Sequence, residues 1–203
     1  MAIVLLVRHA AHDLLGRAIA GRMPGVHLNG EGRRQASLLA EQLARAPIAA
    51  VYSSPLERAR ETAQPIAERL KLPLRIAGEA NEVDFGDWTN RDFAALAKLE
   101  AWRLFHSFRS GTRIPGGELL IETQARIVGL IGRLAERHGR EHIAVVSHGD
   151  VIRSALVYYL GMPIDFISRI EVGPASISTL IIDEDGSRLL QLNQWSEPRP
   201  PEA

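Results

Sequence analysis

The stretch MAIVLLVRHA, residues 1–10, decides the fold of this chain. Residues 3–7 form a continuous run of β-branched and leucine side chains, which is typical of a strand covered on both faces. The run ends at Arg8 and His9, so two polar side chains directly follow a buried strand. It is too short to span a membrane and lacks a basic leader, so we expect no signal peptide and a cytoplasmic location.

Strand and helix patterns alternate along the rest of the chain. This alternation predicts an α/β protein, a three-layer α/β/α domain with a mostly parallel central sheet. The length of 203 residues suits a single domain spanning 1–203, with a proline-rich tail over 196–203 that we expect to fray. The expected strands are 3–7, 48–52, 74–77, 142–147 and a terminal hairpin of 176–182 with 188–192. The expected helices are 33–45, 54–70 (opened by a capping box from Ser54 to Glu57), 91–108, 118–138 and 148–161.

Composition excludes several classes of function. The formal net charge is zero, which gives no reason to expect nucleic acid or an anionic membrane as a partner. The chain has no cysteine, which excludes disulfides, thiolate catalysis and cysteine-based zinc sites. Recognition of an anion must therefore come from a local cluster of side chains.

Such a cluster is predicted at one edge of the sheet. Arg8 and His9 follow the first strand, Arg58 lies in the first turn of the helix after the second, and His148 and Gly149 follow the strand at 142–147. The carboxyl ends of parallel strands meet at one edge, where ligands of open α/β sheets bind. Helix amino ends and arginine forks both suit phosphate, so the sequence predicts a phosphate pocket there.

These residue types suggest a particular chemistry. An imidazole nitrogen of His9 could attack phosphorus and form a phosphohistidine, with guanidinium groups instead of a metal neutralising the phosphoryl oxygens. Glu82 lies beside aromatic residues, where partial burial would raise its pKa and make it a proton donor. A zinc site built from His9, His148 and a carboxylate is the alternative, although no tight metal-ligand spacing supports it. The other histidines are interpreted as loop residues (His12, His27) and as surface or packing residues (His106, His138, His142).

Five motifs occur in an order that resembles a known family. They are LVRH (6–9), YSSPLERARETA (52–63), EVDFGDW (82–88), PGGE (115–118) and VSHG (146–149). Together they are similar to the histidine phosphatase, or phosphoglycerate mutase-like, superfamily, and specifically to its phosphatase branch. The resemblance covers about residues 3–180.

The resemblance implies a role for each matching residue. His9 would be the phosphorylated nucleophile and Glu82 the proton donor. The phosphoryl group would be held by Arg8, Arg58, His148 and the Gly149 backbone. Arg22 and Gly25 match a loop that often lines the same pocket. No metal or other cofactor is implied, and the expected ligand is a small-molecule phosphomonoester.

The chain departs from the family pattern just after the nucleophile. The usual Gly-Glu pair is Ala10-Ala11 here, and an asparagine usually found six residues after the nucleophile is Leu15. His12 or Asp13 could replace the missing polar contacts. These departures bear on which phosphomonoester is the substrate, because the phosphate-holding residues all remain.

Two other functions compete with a phosphatase. A phosphoglycerate mutase would use the same nucleophile and return phosphate to the substrate, but it would need an adjacent basic pair that we do not find. Here Arg91, Lys98, Arg103, Arg109 and Arg113 are spaced as on a helix surface. A phosphate-binding module without turnover would have lost the nucleophile, an arginine or the acid, and all of these are present. A homodimer is left open.

Overall fold

The computed structural model describes residues 1–196, so residues 197–203 of the predicted tail lie outside the described part. The strands are β1 (Ala2–Arg8), β2 (Ile48–Ser53), β3 (Leu74–Ile76), β4 (His142–Ser147), β5 (Ile177–Asp183) and β6 (Gly186–Gln194). The α-helices are α1 (Gly30–Leu43), α2 (Glu57–Leu70), α3 (Phe93–Leu96), α4 (Glu100–Ser107), α5 (Leu120–His138) and α6 (Gly149–Tyr159). Short 3-10 helices cover Gly78–Ala80, Gly86–Trp88 and Ile164–Arg169.

The six strands form one sheet in the order β3-β2-β4-β1-β5-β6. Strands β3, β2, β4 and β1 are mutually parallel, and the terminal hairpin of β5 and β6 adds antiparallel strands at one side. The register places Arg8 opposite Ser147, and Ser53 opposite Val146. The carboxyl ends of β1, β2 and β4 therefore meet at one edge, as the sequence predicted.

Both faces of the sheet are covered. Val4 and Leu6 of β1 belong to a core that includes side chains of α5 and α6. Leu5 and Val7, which point to the opposite face, belong to a second core with side chains of α1 and α2. A strand buried on both faces needs no polar alternation, which explains the uniform apolar run in β1. The predicted three-layer α/β architecture is confirmed.

Two local predictions were wrong. The single helix expected over 91–108 is two helices, because Leu99 has an extended backbone between α3 and α4. Ser54 does not cap α2 in a capping box with Glu57: the N-cap is Leu56, and the Ser54 hydroxyl lies 2.7 Å from Nε2 of His148. The side chain expected to start a helix therefore serves the candidate site.

No helix within residues 1–196 combines the length and the apolar character that crossing a membrane would require.

Candidate active site

A cavity of about 290 Å³ opens at the edge where β1, β2 and β4 end. Its lining includes residues that the sequence singled out, namely Arg8, His9, Arg58, Glu82 and Gly149. The ring of His148 lies directly behind, with its centroid 5.1 Å from that of His9. Residues from three strand ends and from the loop after β3 thus converge on one point.

His9 is held in the form that a nucleophile needs. Its ring is buried, and Nδ1 lies 2.9 Å from the carbonyl oxygen of Ala10. A carbonyl oxygen can only accept, so Nδ1 carries the hydrogen and Nε2 keeps its lone pair. Burial, followed by the charges of Arg58 and Arg8, lowers the pKa of His9 well below its ordinary value. The imidazole is therefore neutral at physiological pH.

The guanidinium groups of Arg8 and Arg58 have hydrogen-bond donors to spare. Arg58 is fully buried and donates from Nη2 to the Gly21 carbonyl at 2.8 Å, while its Nε and Nη1 meet no partner within the described chain. Arg8 donates from Nη1 to the Val172 carbonyl at 2.7 Å, and its Nε is likewise buried and unpartnered. Buried donors without partners are costly, and a tetrahedral oxyanion would satisfy them with two oxygens for each fork.

Gly149 gives Arg8 the room to reach this position. A Cβ atom at residue 149 would lie 3.3 Å from both Cζ and Nε of Arg8, closer than a normal contact. Gly149 is also the first residue of α6, where the backbone N–H groups have no partner inside the helix. The glycine thus brings a guanidinium and a helix amino end to the same point.

Glu82 and His148 complete the polar cluster. Oε2 of Glu82 lies 3.5 Å from Nδ1 of His148 and 3.8 Å from Nη2 of Arg58. Burial raises the pKa of Glu82 to about 7, against the opposing effect of Arg58. The carboxyl group can therefore hold a proton near neutral pH and release it, as a general acid must.

A family model described as the histidine phosphatase superfamily (branch 1) matches residues 4–194. The chain belongs to the histidine phosphatase superfamily. Among its relatives, phosphoglycerate mutase-like protein 4 of Arabidopsis thaliana is 38% identical over 157 residues, which are 74% of this chain and 68% of that protein. Phosphoserine phosphatase 1 of Hydrogenobacter thermophilus is 29% identical and covers 94% of this chain and 91% of its own length.

Solved structures of phosphatases share the fold. Phosphoserine phosphatase of Entamoeba histolytica, in complex with 3-phosphoglyceric acid, superposes with a TM-score of 0.86 at 26% identity. The match covers 96% of this chain and 98% of that one. A putative alpha-ribazole-5'-P phosphatase of Escherichia coli gives a TM-score of 0.85 at 28% identity, with 95% and 96% covered.

Two expected pocket residues of this histidine phosphatase lie outside the cavity lining. Arg22 donates to Glu118 at 2.7 Å, to Asp84 at 3.3 Å and to the Glu82 carbonyl at 2.9 Å, so its guanidinium braces the loop that carries the acid. Gly25 donates its backbone N–H to Glu57. The expectation that this loop lines the pocket through Arg22 and Gly25 is corrected, because the acidic loop binds Arg22 instead.

Glu118 is unsuited to be the proton donor. Burial would raise its pKa, but hydrogen bonds from Arg126 and from the Asp84 backbone N–H outweigh that effect and lower the pKa to about 2. Its carboxylate also accepts from Arg22 and Thr123. Glu118 therefore stays ionised and holds the loop, which leaves Glu82 as the carboxyl group facing His9 and Arg58.

His12 lies where the chain departs from the family pattern. It lies in a loop, as the sequence indicates, and its ring is buried, lines the cavity and has its centroid 5.2 Å from that of His9. Its Nδ1 has no partner within residues 1–196, and burial, followed by Arg58 and Arg8, lowers its pKa to about 4. Asp13 instead accepts from Asn29 at the surface. Of these two candidates, His12 is the one placed to face a substrate.

The cavity lining also includes residues that the sequence interpretation did not assign to the site. They are Phe85, Phe93, Trp102, Phe105, His106, Arg109, Asp150 and Arg153. The sequence spacing places Arg109 on a helix surface, but its side chain is buried and lines the cavity, whereas His106 is exposed as expected and also lines the cavity. A signal was available in the spacing of Trp102, Phe105 and His106, which puts three rings on one face of a helix.

Three potential metal ligands also meet in this site. One donor atom from each of His9, Glu82 and His148 lies within 4.8 Å of the others. Nη2 of Arg58 is 3.2 Å from Nδ1 of His148 and close to Glu82, so a fixed positive charge already contacts two of the three donors. The positive charges of Arg58 and Arg8 would repel a divalent cation here and attract an anion.

Proposed function

We propose that this phosphatase is a metal-independent phosphomonoester hydrolase that transfers the phosphoryl group of a small phosphorylated metabolite to His9 and then to water. One observation supports the proposal above all others. The neutral His9 ring, with its Nδ1 hydrogen bonded to the Ala10 carbonyl, lies beside the unpartnered buried donors of Arg8 and Arg58. A nucleophile and an anion-binding group thus share one pocket.

In the first step, the Nε2 lone pair of His9 forms a bond to phosphorus while the bond to the ester oxygen breaks. The leaving oxygen takes the proton of Glu82, so a free alcohol departs and Glu82 becomes a carboxylate. Arg8, Arg58 and the backbone N–H groups at Gly149 hold the three remaining phosphoryl oxygens. Donors fixed in advance are worth most in the transition state, where charge spreads over those oxygens.

In the second step, water attacks the phosphohistidine. The Glu82 carboxylate accepts a proton from the water as the new P–O bond forms and the P–N bond breaks. Inorganic phosphate is released, the neutral imidazole of His9 is regenerated, and Glu82 is again protonated. A carboxyl group with a pKa near 7 can serve in both directions at neutral pH.

A mutase would share the first step and differ in the second, where phosphate returns to an alcohol. The Arabidopsis relative is named a phosphoglycerate mutase-like protein, which is the reason to test this alternative. Incubation with 3-phosphoglycerate and a bisphosphate primer separates the two, since a mutase forms an isomer and the proposed hydrolase releases inorganic phosphate.

The role of Glu82 is tested by the leaving group. An alkyl alcohol needs a proton to depart, whereas p-nitrophenolate needs almost none. Glu82→Gln should slow phosphorylation of His9 by an alkyl phosphate by about 10²- to 10⁴-fold. The pre-steady-state burst with p-nitrophenyl phosphate should change far less. Rapid-quench measurement of both reactions provides the comparison.

Asp87→Asn is the matched control, because Asp87 is an exposed carboxylate on the same loop. It should alter neither burst. The pH profile gives a second readout: alkyl phosphate turnover should fall as pH rises through about 7, where Glu82 loses its proton, and Glu82→Gln should lack this limb. Equal slowing of both leaving groups by Glu82→Gln would contradict a role as proton donor.

Removal of metal ions should leave activity unchanged. Two guanidinium groups supply the positive charge that a cation supplies in metal-dependent phosphatases. Turnover of p-nitrophenyl phosphate should be equal before and after exhaustive dialysis against a chelator. Loss of activity that Zn²⁺ or Mg²⁺ restores would instead assign His9, Glu82 and His148 to a metal site.

A further inference from the structure

The last strand of the sheet contacts the segment that holds a phosphate-binding arginine of the site. Building on the proposed phosphatase function, we infer that Asn193, near the end of β6, is a positioning residue for Arg8. It acts through the peptide group between Val172 and Gly173. Asn193 is not among the residues that line the cavity, and it lies outside the five sequence motifs.

One peptide group connects Asn193 to Arg8. The Gly173 N–H donates to Oδ1 of Asn193 at 2.7 Å, and the Val172 carbonyl accepts from Nη1 of Arg8, also at 2.7 Å. This N–H and this carbonyl belong to the same planar trans peptide, in which they point in opposite directions. Rotation of the peptide plane would therefore disturb both hydrogen bonds together. By holding the N–H, Asn193 fixes the direction of the carbonyl that orients the guanidinium.

The same segment also supports the end of β1. The Ser176 carbonyl accepts the backbone N–H of Arg8 at 3.0 Å, and the Ala175 N–H donates to the His9 carbonyl at 3.3 Å. The Arg8 backbone is thus held by the sheet edge itself. Its guanidinium has a buried Nε that meets no partner within residues 1–196, so its direction depends strongly on the bond to Val172.

A β-bulge aims the Asn193 side chain at this peptide. The pairing of β5 with β6 shifts by one residue here, so that residues 192 and 193 both lie opposite Ser178. The Asn193 N–H donates to Oγ of Ser178 at 3.1 Å, and its φ of 53° lies in the left-handed region, which asparagine tolerates better than most residues. Bulges re-aim side chains, and this one turns Asn193 toward Gly173.

Trp195 adds a second contact to the same peptide group. A Cβ atom at residue 173 would overlap the indole of Trp195, so glycine is what allows the backbone to lie this close to the ring. Val172 and Gly173 are both buried, and an unpaired N–H in such a place is costly. The end of β6 therefore holds this peptide through a hydrogen-bond acceptor and through an aromatic ring.

Asn193→Gly tests the inference, because glycine suits the left-handed backbone and removes the acceptor. The kcat/KM for p-nitrophenyl phosphate should fall by about 3- to 10-fold, the equivalent of one neutral hydrogen bond. Because the effect passes through a group that holds the phosphoryl oxygens, alkyl phosphates should be slowed by the same factor, in contrast to Glu82→Gln. Asn193→Asp keeps an acceptor oxygen and should retain most of the wild-type rate.

Gln194→Gly is the matched control. Gln194 is the exposed next residue of the same strand, so the variant introduces the same flexibility and leaves the peptide contacts in place. It should match the wild-type protein in kcat/KM. Thermal melts of each variant show whether it is folded.

A double variant separates positioning from a general loosening of the fold. Arg8→Ala has no guanidinium to orient, so adding Asn193→Gly should change its rate of His9 phosphorylation by no more than about twofold. Single-turnover rapid quench with p-nitrophenyl phosphate measures these slow rates. Trp195→Leu, which removes the ring over Gly173, should show the same dependence on Arg8 if Asn193→Gly folds poorly.

The inference is overturned if Asn193→Gly keeps the wild-type kcat/KM, if Asn193→Asp is slowed as much as Asn193→Gly, or if the full effect persists in the Arg8→Ala protein. The proposed function fails separately. In that case the wild-type protein would neither hydrolyse p-nitrophenyl phosphate nor form an acid-labile phosphoryl group.

Discussion

Replacement of His9 by alanine should abolish the phosphoryl-enzyme and lower kcat/KM by about 10⁴-fold or more, because it removes the lone pair that forms the bond to phosphorus in the proposed first step. The buried ring leaves only a small cavity when it is truncated, and Arg8 and Arg58 keep their backbone partners. Phosphate binding should therefore survive while turnover is lost.

The measurement is an acid quench after mixing with labelled substrate. Wild-type protein should carry an acid-labile, base-stable phosphoryl group, and His9→Ala should carry none. His27→Asn is the control, since His27 is an exposed histidine paired with Glu61 outside the cavity. Turnover by His9→Ala near the wild-type rate would remove the proposed nucleophile.

Replacement of Arg58 by alanine should lower kcat/KM by about 10²- to 10⁴-fold, because one fixed donor group at a developing charge is worth at least the lower figure. Arg58→Lys should recover only part of the loss. A lysine ammonium is a point charge, and it cannot present Nε and Nη1 together to two oxygens as the fork does.

Steady-state kinetics with p-nitrophenyl phosphate measure both Arg58 variants. Arg60→Ala, two positions further along α2 and exposed, should match the wild-type protein. Circular dichroism and thermal melts must show that Arg58→Ala is folded, since the side chain is fully buried. Full recovery by Arg58→Lys would show that charge alone matters at this position.

The polar cluster around His9 could be predicted from sequence for a physical reason. Strands β1, β2 and β4 are mostly apolar because both faces of the sheet are covered, and their carboxyl ends are marked by the polar residues Arg8, Ser53 and Ser147. Arg8, Arg58 and His148 lie at or shortly after these ends. Parallel pairing of those strands then fixes where the side chains meet, without any knowledge of loop geometry.

The cavity residues of α4 and of the irregular segments could not be predicted in the same way. Arg109 follows α4 in an irregular segment, and nothing in the period of that segment indicates that its guanidinium turns inward to lie over Phe105. The break at Leu99 also reorients α4 relative to the single helix expected there. His12 and Arg22 lie in a long irregular stretch, where long-range partners decide direction. Arg22 is held by Glu118, which is distant in sequence.

Because of the unpartnered donors of Arg8 and Arg58, the stability of the folded protein should also depend on the anions in the solution. A tetrahedral anion that binds these two buried guanidinium groups binds the folded state and stabilises it. A ligand at 100 times its Kd adds about 2.7 kcal/mol to the free energy of unfolding. Inorganic phosphate, the product of turnover, should therefore raise the free energy of unfolding as its concentration rises above its Kd.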